Sequence, residues 1–236
     1  MLEVLQKKEQ IKSSRLKMIE NGMSCIESGI PKFLRKIGVG TGLSLGDFVK
    51  SWDVEKTLSF IDENLSKNAK VLDLGAFCSE VPVSLARKDY VNVYGVDLND
   101  KIDLMPYSNV VEYVVGDFMK LPFESSFFDA VTAISVIEHG YQPERLFSEL
   151  GRILKPGGFF IASFDYWPEK ISTGSTRFFD MSWMIFSEQD VYSMLEIANK
   201  FGLIPYGDLN PEADEHAVKC AGFDYTFGWL VLRKES

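Results

Sequence analysis

The chain has 236 residues, with 25 lysines and arginines against 34 aspartates and glutamates, giving a formal net charge of −9. A composition of 46% hydrophobic and 25% charged residues suits a folded domain and excludes a disordered or fibrous chain. The negative balance argues against sequence-independent nucleic-acid binding, and no apolar run approaches the ~18–20 residues that span a bilayer. The first residues, MLEVLQKKEQIK, mix acids and bases without an apolar stretch, so a secretory leader is not expected. Cys25, Cys78 and Cys220 form no C-x-x-C pair and leave an odd thiol, which suits a reducing cytosol and points to neither a disulfide framework nor a metal site.

Residues 1–20 place Leu2, Leu5, Ile11, Leu16 and Ile19 at helical spacing, with Asn21-Gly22 as the stop. Lys32, Arg35 and Lys36 then precede a run of alternating glycines, Gly38, Gly40 and Gly42. No buried strand leads into that run, so it reads as a hinge rather than a phosphate loop. A helix follows over 53–65, with Asp53 as N-cap and Val54, Leu58 and Ile61 on one face. Beyond it, apolar strands at 70–74, 92–97, 110–115, 128–137 and 159–164 alternate with helices near 80–88 and 144–154 and a short turn near 101–105. Strands apolar throughout and separated by helices indicate a parallel sheet covered on both faces. Lys155-Pro156-Gly157-Gly158 ends one helix and launches the next strand, and Ser187 to Asp190 reads as a capping box for a helix reaching Lys200. Two closing strands, 203–206 and 226–232, are joined without a helix and can run antiparallel.

The chemistry is concentrated at the carboxyl ends of the strands, where ligands bind in a doubly wound sheet. The first strand runs through Asp73 into Gly75, whose missing Cβ lets backbone approach a ligand. The second ends at Asp97, whose carboxylate can accept hydrogen bonds from vicinal ribose hydroxyls. The third ends at Asp117-Phe118, an acceptor beside a ring that can stack on a base. The fourth ends at Glu138-His139.

Taken in order, VLDLGA (71–76), YGVDL (94–98), GDFMKLPFESSFFDAV (116–131), VIEH (136–139) and RILKPGGFF (152–160) resemble a class I S-adenosylmethionine-dependent methyltransferase of the small-molecule branch, methyltransferase type 11-like. The resemblance covers about residues 53–235. It implies an α/β, Rossmann-like fold: a seven-stranded, mostly parallel sheet with helices on both faces, an antiparallel last strand and an N-terminal helical cap. Residues 1–50 would form the cap and hinge, and residues 51–236 the catalytic domain, with an aromatic lid at about 165–186. The implied cofactor is S-adenosyl-L-methionine, held by Asp73, Gly75, Ala76, Phe77, Ser79, Asp97, Leu98, Asp117, Phe118 and Ser135, with no metal. The implied partner is a small-molecule acceptor in the cytoplasm, with neither nucleic acid nor membrane involved. One departure stands out. Phe77 and Ser79 occupy positions where the family usually has glycines, so the loop takes a different path, with Ser79 on the cofactor, or cofactor binding is impaired.

Two roles are open to His139. As a neutral imidazole it can take the proton of an acceptor hydroxyl during attack on the methyl carbon, or it can simply line the pocket. Glu138 reads as a brace for its loop and His216 as a surface residue. The segment 165–186 is long and rich in aromatics, which marks a lid suited to a sugar ring or another planar acceptor, or else a satellite core. Arg177 with the basic residues at 32–36 can meet an anion, although a solvated face is the plainer role. The expected reaction is O-methylation of a hydroxyl, on a saccharide or a nucleotide-linked sugar. C- or N-methylation, and a cofactor-binding partner protein without turnover, are the alternatives. A nicotinamide oxidoreductase lacks support, because no G-x-G-x-x-G follows the first strand.

Overall fold

The computed structural model describes residues 1–26 and 43–236; the glycine run at 38–42 and the cations at 32–36 lie outside the described residues. The strands are β1 (Leu2–Val4), β2 (Lys70–Leu74), β3 (Asn92–Asp97), β4 (Val111–Val115), β5 (Phe128–Ile134), β6 (Leu154–Tyr166), β7 (Arg177–Phe178), β8 (Met181–Ser182), β9 (Leu203–Pro205), β10 (Val218–Cys220) and β11 (Phe223–Lys234). The helices are α1 (Lys8–Glu20), α2 (Ser51–Asn64), α3 (Val81–Arg87), α4 (Pro143–Ile153) and α5 (Glu188–Asn199).

The main sheet runs β1-β11-β6-β5-β2-β3-β4, and β9 and β10 add to β11, making nine strands; β7 and β8 form a separate hairpin. Strands β4, β3, β2, β5 and β6 are parallel, and β11 closes antiparallel on β6 with Leu230 opposite Ala162. This is the doubly wound arrangement expected from continuously apolar strands. Alternate side chains feed two cores. Leu72, Leu74, Phe160 and Phe164 face α4 and α5, whereas Val71, Ile161, Trp229 and Val231 face α1 and α2.

The N-terminus departs from the sequence reading. Residues 2–4 form a strand rather than the opening turn of a helix, with Leu2 opposite Leu230 and Val4 opposite Gly228. A three-residue strand carries too short a pattern to be separated from a helix by spacing. The helix near 53 begins two residues earlier, at Ser51, with Lys50 at the N-cap. Asp53 therefore does not cap. It lies in the first turn, fully buried, and its Oδ2 accepts a 2.7 Å hydrogen bond from Ser163. Residues 155–158 fall inside β6 as an irregularity opposite Phe128–Ala130, and Gly157 takes φ +79°. A turn therefore exists where the sequence placed one, but the strand has already begun.

Helix α1 is fixed to the start of α3 by a buried ion pair. Arg15 donates to both carboxylate oxygens of Glu80, at 2.8 and 2.7 Å, and the Cys25 amide donates to the same carboxylate at 2.7 Å. Their side chains are 4% and 0% exposed. A bidentate guanidinium satisfies both oxygens at once, so removing it strands a desolvated carboxylate. Arg15→Met is therefore expected to lower unfolding free energy by about 3–5 kcal/mol, measurable as a fall in the midpoint of urea denaturation.

Candidate active site

The carboxyl ends of β2, β3 and β5 converge on one cavity of about 690 Å³. After β2 the chain turns at Gly75, with φ +71°. The amides of Gly75 and Ala76 donate to the Val96 carbonyl at 2.9 and 3.0 Å, tying the turn to β3. A Cβ on Gly75 would lie 2.5 Å from Val136 Cγ2, so the turn requires glycine twice over, for conformation and for room. Cys78 also adopts a left-handed backbone, φ +62°, and its amide points at the Met105 sulfur, 3.2 Å away. The loop thus makes its second reversal at Cys78 rather than at a later glycine, which accommodates Phe77 and Ser79. Ser79 Oγ accepts from the Val81 amide at 3.2 Å as α3 begins.

Asp97 closes this half of the cavity. Its Oδ2 accepts from the Phe77 amide at 3.0 Å and its Oδ1 from the Asn99 amide at 2.8 Å. Asp73, 1% exposed, accepts from Thr132 Oγ1 at 2.5 Å through Oδ1, while its buried Oδ2 has no partner among the described residues. Burial pushes the Asp73 carboxyl up to about 7, against the pull of the Thr132 and Ser79 hydroxyls.

The other half is a cluster of charge. Lys50 Nζ donates to Ser135 Oγ at 2.5 Å and lies 3.7 Å from Asp165 Oδ1. Asp165 Oδ2 accepts from the Trp183 indole at 2.7 Å. Burial opposes the Lys50 charge, but Asp165, Asp53 and Glu138 outweigh it and raise its pKa. Burial pushes Asp53 up to about 6, with Lys50 opposing, and raises Glu138 well above the carboxylate range, reinforced by Asp165. His139 lines the cavity, with its ring edge-on to Phe178 and Phe179 and its buried Nδ1 without a partner among the described residues. Its pKa falls below the usual imidazole value through burial, which outweighs Asp165.

Of the sequence-derived candidates, Asp73, Gly75, Phe77, Ser79, Asp97, Leu98, Phe118, Ser135 and His139 all line this cavity. Ala76 is buried behind it, and Asp117 turns away, accepting from the Met119 amide at 2.8 Å and facing Arg145. The segment expected to be a lid divides. Trp183, Ile185 and Phe186 are core, while Phe179, 81% exposed, sits at the tip of the β7–β8 hairpin over His139. His216 is exposed, stacked on Trp167. Sequence reasoning missed Lys50, because its partners lie far along the chain, as well as Cys78 and Met181. Among the described residues, no three His, Cys, Asp or Glu side chains group as a metal site, and no helix is long and apolar enough to cross a membrane.

Residues 72–162 match the family model described as "Methyltransferase domain". Over that stretch the chain is similar to a methyltransferase domain, and its fold is that of solved S-adenosylmethionine-dependent methyltransferases. Over 99 residues, 39% of the chain, it is 36% identical to a sterol 24-C-methyltransferase of Yarrowia lipolytica, and over 98 residues it is 38% identical to the sterol 24-C-methyltransferase of Saccharomyces cerevisiae. The match spans only 26% of either relative. A [4+2]-cyclase, SpnF, superposes with TM-score 0.62 at 15% identity, over 99% of this chain and 98% of its own. Geranyl diphosphate C-methyltransferase from Streptomyces coelicolor, solved with Mg2+, geranyl diphosphate and S-adenosylhomocysteine, superposes with TM-score 0.56 at 16% identity over 76% of this chain and 78% of its own. These likenesses at low identity establish the fold.

S-adenosylmethionine fits the residues present. The unpartnered Asp73 Oδ2 offers a buried acceptor to an ammonium, Asp97 offers a carboxylate beside the loop, and Gly75 leaves backbone bare at the point of approach. Gly75→Ala is expected to destabilise the fold more than Gly222→Ala. Both positions have left-handed φ, which costs about 1–2 kcal/mol for a side chain, but only Gly75 would also clash. Paired thermal melts of the two variants measure the difference.

Proposed function

We propose that this protein transfers the methyl group of S-adenosylmethionine to a small-molecule acceptor, and that the atom methylated is a hydroxyl oxygen whose proton passes to His139. The observation that carries the reading is the presence in one cavity of the loop that follows Gly75, the Asp97 carboxylate beside it and a half-buried imidazole at His139. In this reading Asp97 binds the ribose hydroxyls, Asp73 the ammonium, and Phe118 and Leu98 the adenine; Phe77, Ser79 and Ser135 line the methionine end. Asp47 and Lys50 bring the N-terminal cap to the same cavity, while residues 51–236 hold the chemistry. Bound, the cofactor supplies a methyl on a sulfonium, already electrophilic. The protein's task is to align the acceptor, exclude water and accept one proton. The free thiols at Cys25, Cys78 and Cys220 suit a reducing cytosol.

The similarity to sterol C-methyltransferases supports a second reading, methylation at carbon. Incubation with candidate alcohols and alkenes, followed by chromatography of demethylated cofactor and product, separates the two. Release of S-adenosylhomocysteine with none of them would reject turnover of these classes.

Binding is tested first. S-adenosylmethionine is expected to bind and NAD not to bind. Asp97→Ala is expected to weaken cofactor binding by ~2–4 kcal/mol, since hydrogen bonds to a charged acceptor contribute ~1.5–3 kcal/mol each. Isothermal titration of a folded variant with unchanged affinity would remove Asp97 from the site.

The His139 assignment has its own test. A depressed imidazole is neutral at physiological pH, so kcat is expected to rise with pH through an apparent pKa below the ordinary ~6.5 and then level off. His139→Ala is expected to lower kcat by ~10²–10⁴-fold with cofactor affinity nearly unchanged. A loss confined to KM, with the pH profile kept, would leave His139 a lining residue.

A further inference from the structure

The charge cluster on the far side of the Gly75 turn supplies no proton acceptor in the reaction just described. Lys50 is bonded to Ser135, whose amide donates to Ser163 Oγ at 3.1 Å; that hydroxyl in turn donates to Asp53. Ser135 itself is held in a left-handed conformation, φ +52°. Strands β2 and β5 pair with Leu74 opposite Ala133, so Ser135 stands in the row where β2 has already turned at Gly75. Val136 is the side chain against which Gly75 packs. The Lys50–Asp165 pair therefore abuts the loop that receives the cofactor.

The balance of charge is one-sided. Among the described residues that line the cavity, Lys50 is the single lysine or arginine, against Asp47, Asp73, Glu80 and Asp97. Glu80 is occupied by Arg15. A cavity with excess carboxylate attracts a cation, and a cationic side chain within it weakens that attraction. S-adenosylmethionine and S-adenosylhomocysteine differ by one methyl group and one positive charge at sulfur. A fixed charge near the loop therefore acts on the difference between them, whereas packing and hydrogen bonds to the adenosine act on both alike.

We propose that Lys50 and Asp165 set how strongly the cavity prefers the sulfonium cofactor over the uncharged thioether product, Lys50 lowering the preference and Asp165 raising it. The inference rests on the cofactor reading above. Its consequence is control of product release: the balance of this pair decides how readily spent cofactor yields to fresh. Asp165 is suited to the task because, among the described residues, its buried Oδ1 has no hydrogen-bond partner and Lys50 at 3.7 Å is the cation paired with it.

Calorimetric titration of both compounds into wild type, Lys50→Met, Lys50→Arg and Asp165→Asn tests the pair without any acceptor. The ratio of the thioether Kd to the sulfonium Kd is expected to rise roughly two- to tenfold in Lys50→Met and to fall by a similar factor in Asp165→Asn, as a unit charge at intermediate dielectric predicts. Lys50→Arg should keep the wild-type ratio. A purely structural role weakens both ligands together and leaves the ratio in place. A ratio unchanged in the charge-removing variants, or moving the same way in both, overturns the inference while the cofactor reading stands. Failure of wild type to bind either compound overturns that reading and the inference with it. Should Lys50→Met not fold, the direction of the Asp165→Asn shift decides the matter alone.

Discussion

The contact between Gly75 and Val136 is the constraint from which the site follows. With hydrogen in place of a side chain, the β2 turn can press against the end of β5 while its amides reach across to the Val96 carbonyl of β3. Three parallel strands thus deliver their carboxyl ends to one place, and their last polar residues, Asp73, Asp97 and Ser135, face one cavity. Any larger residue at 75 would meet the Val136 side chain and force the turn or that side chain to shift. The parallel sheet supplies the convergence, and the glycine makes it close.

Convergence concentrates charge in one place, and the protein manages that in two ways. Some carboxylates have a donor on each oxygen: Glu80 has the guanidinium of Arg15 and the amide of Cys25, and Asp97 has two backbone amides. Others are left short. Asp73, Glu138 and Asp165 each keep a buried oxygen without a partner among the described residues. Burial without donors favours the protonated carboxyl, and the raised values of Asp73 and Glu138 follow. Glu80 and Asp97 line the cavity with both oxygens held, whereas Asp73, on the same cavity, keeps a buried oxygen that a ligand can complete.

Much of this was legible in the sequence. The five parallel strands, the antiparallel closing strand and the Ser187 capping box were marked by continuous apolar runs and by end residues that act locally. Asp73, Gly75, Asp97 and His139 were legible because each sits at a strand end, and strand ends in such a sheet share one edge. What escaped was set by distant partners. Lys50 looks like any surface lysine before a helix until Ser135 and Asp165 are brought to it across the sheet. Asp53 imitates an N-cap for the same reason, since its true partner, Ser163, lies on β6. β1 is too short to show a period and takes its conformation from the exposed edge of β11.

The aromatic segment after β6 shows how one composition can serve two ends. Trp183, Ile185 and Phe186 return to the core, and the indole N–H of Trp183 anchors to Asp165 beneath the charge cluster. That anchor fixes the base of the β7–β8 hairpin, whose tip residues Phe179 and Asp180 both take left-handed backbone. A two-residue turn of this kind matches the twist of the strands it joins, so the hairpin forms despite the cost of left-handed Phe and Asp. Phe179 is thereby held exposed above His139 rather than drawn into the core. The same carboxylate therefore pairs with the cation of the charge cluster and tethers the hairpin that roofs the imidazole. Charge balance below the cavity and access from above it are joined through a single side chain, Asp165.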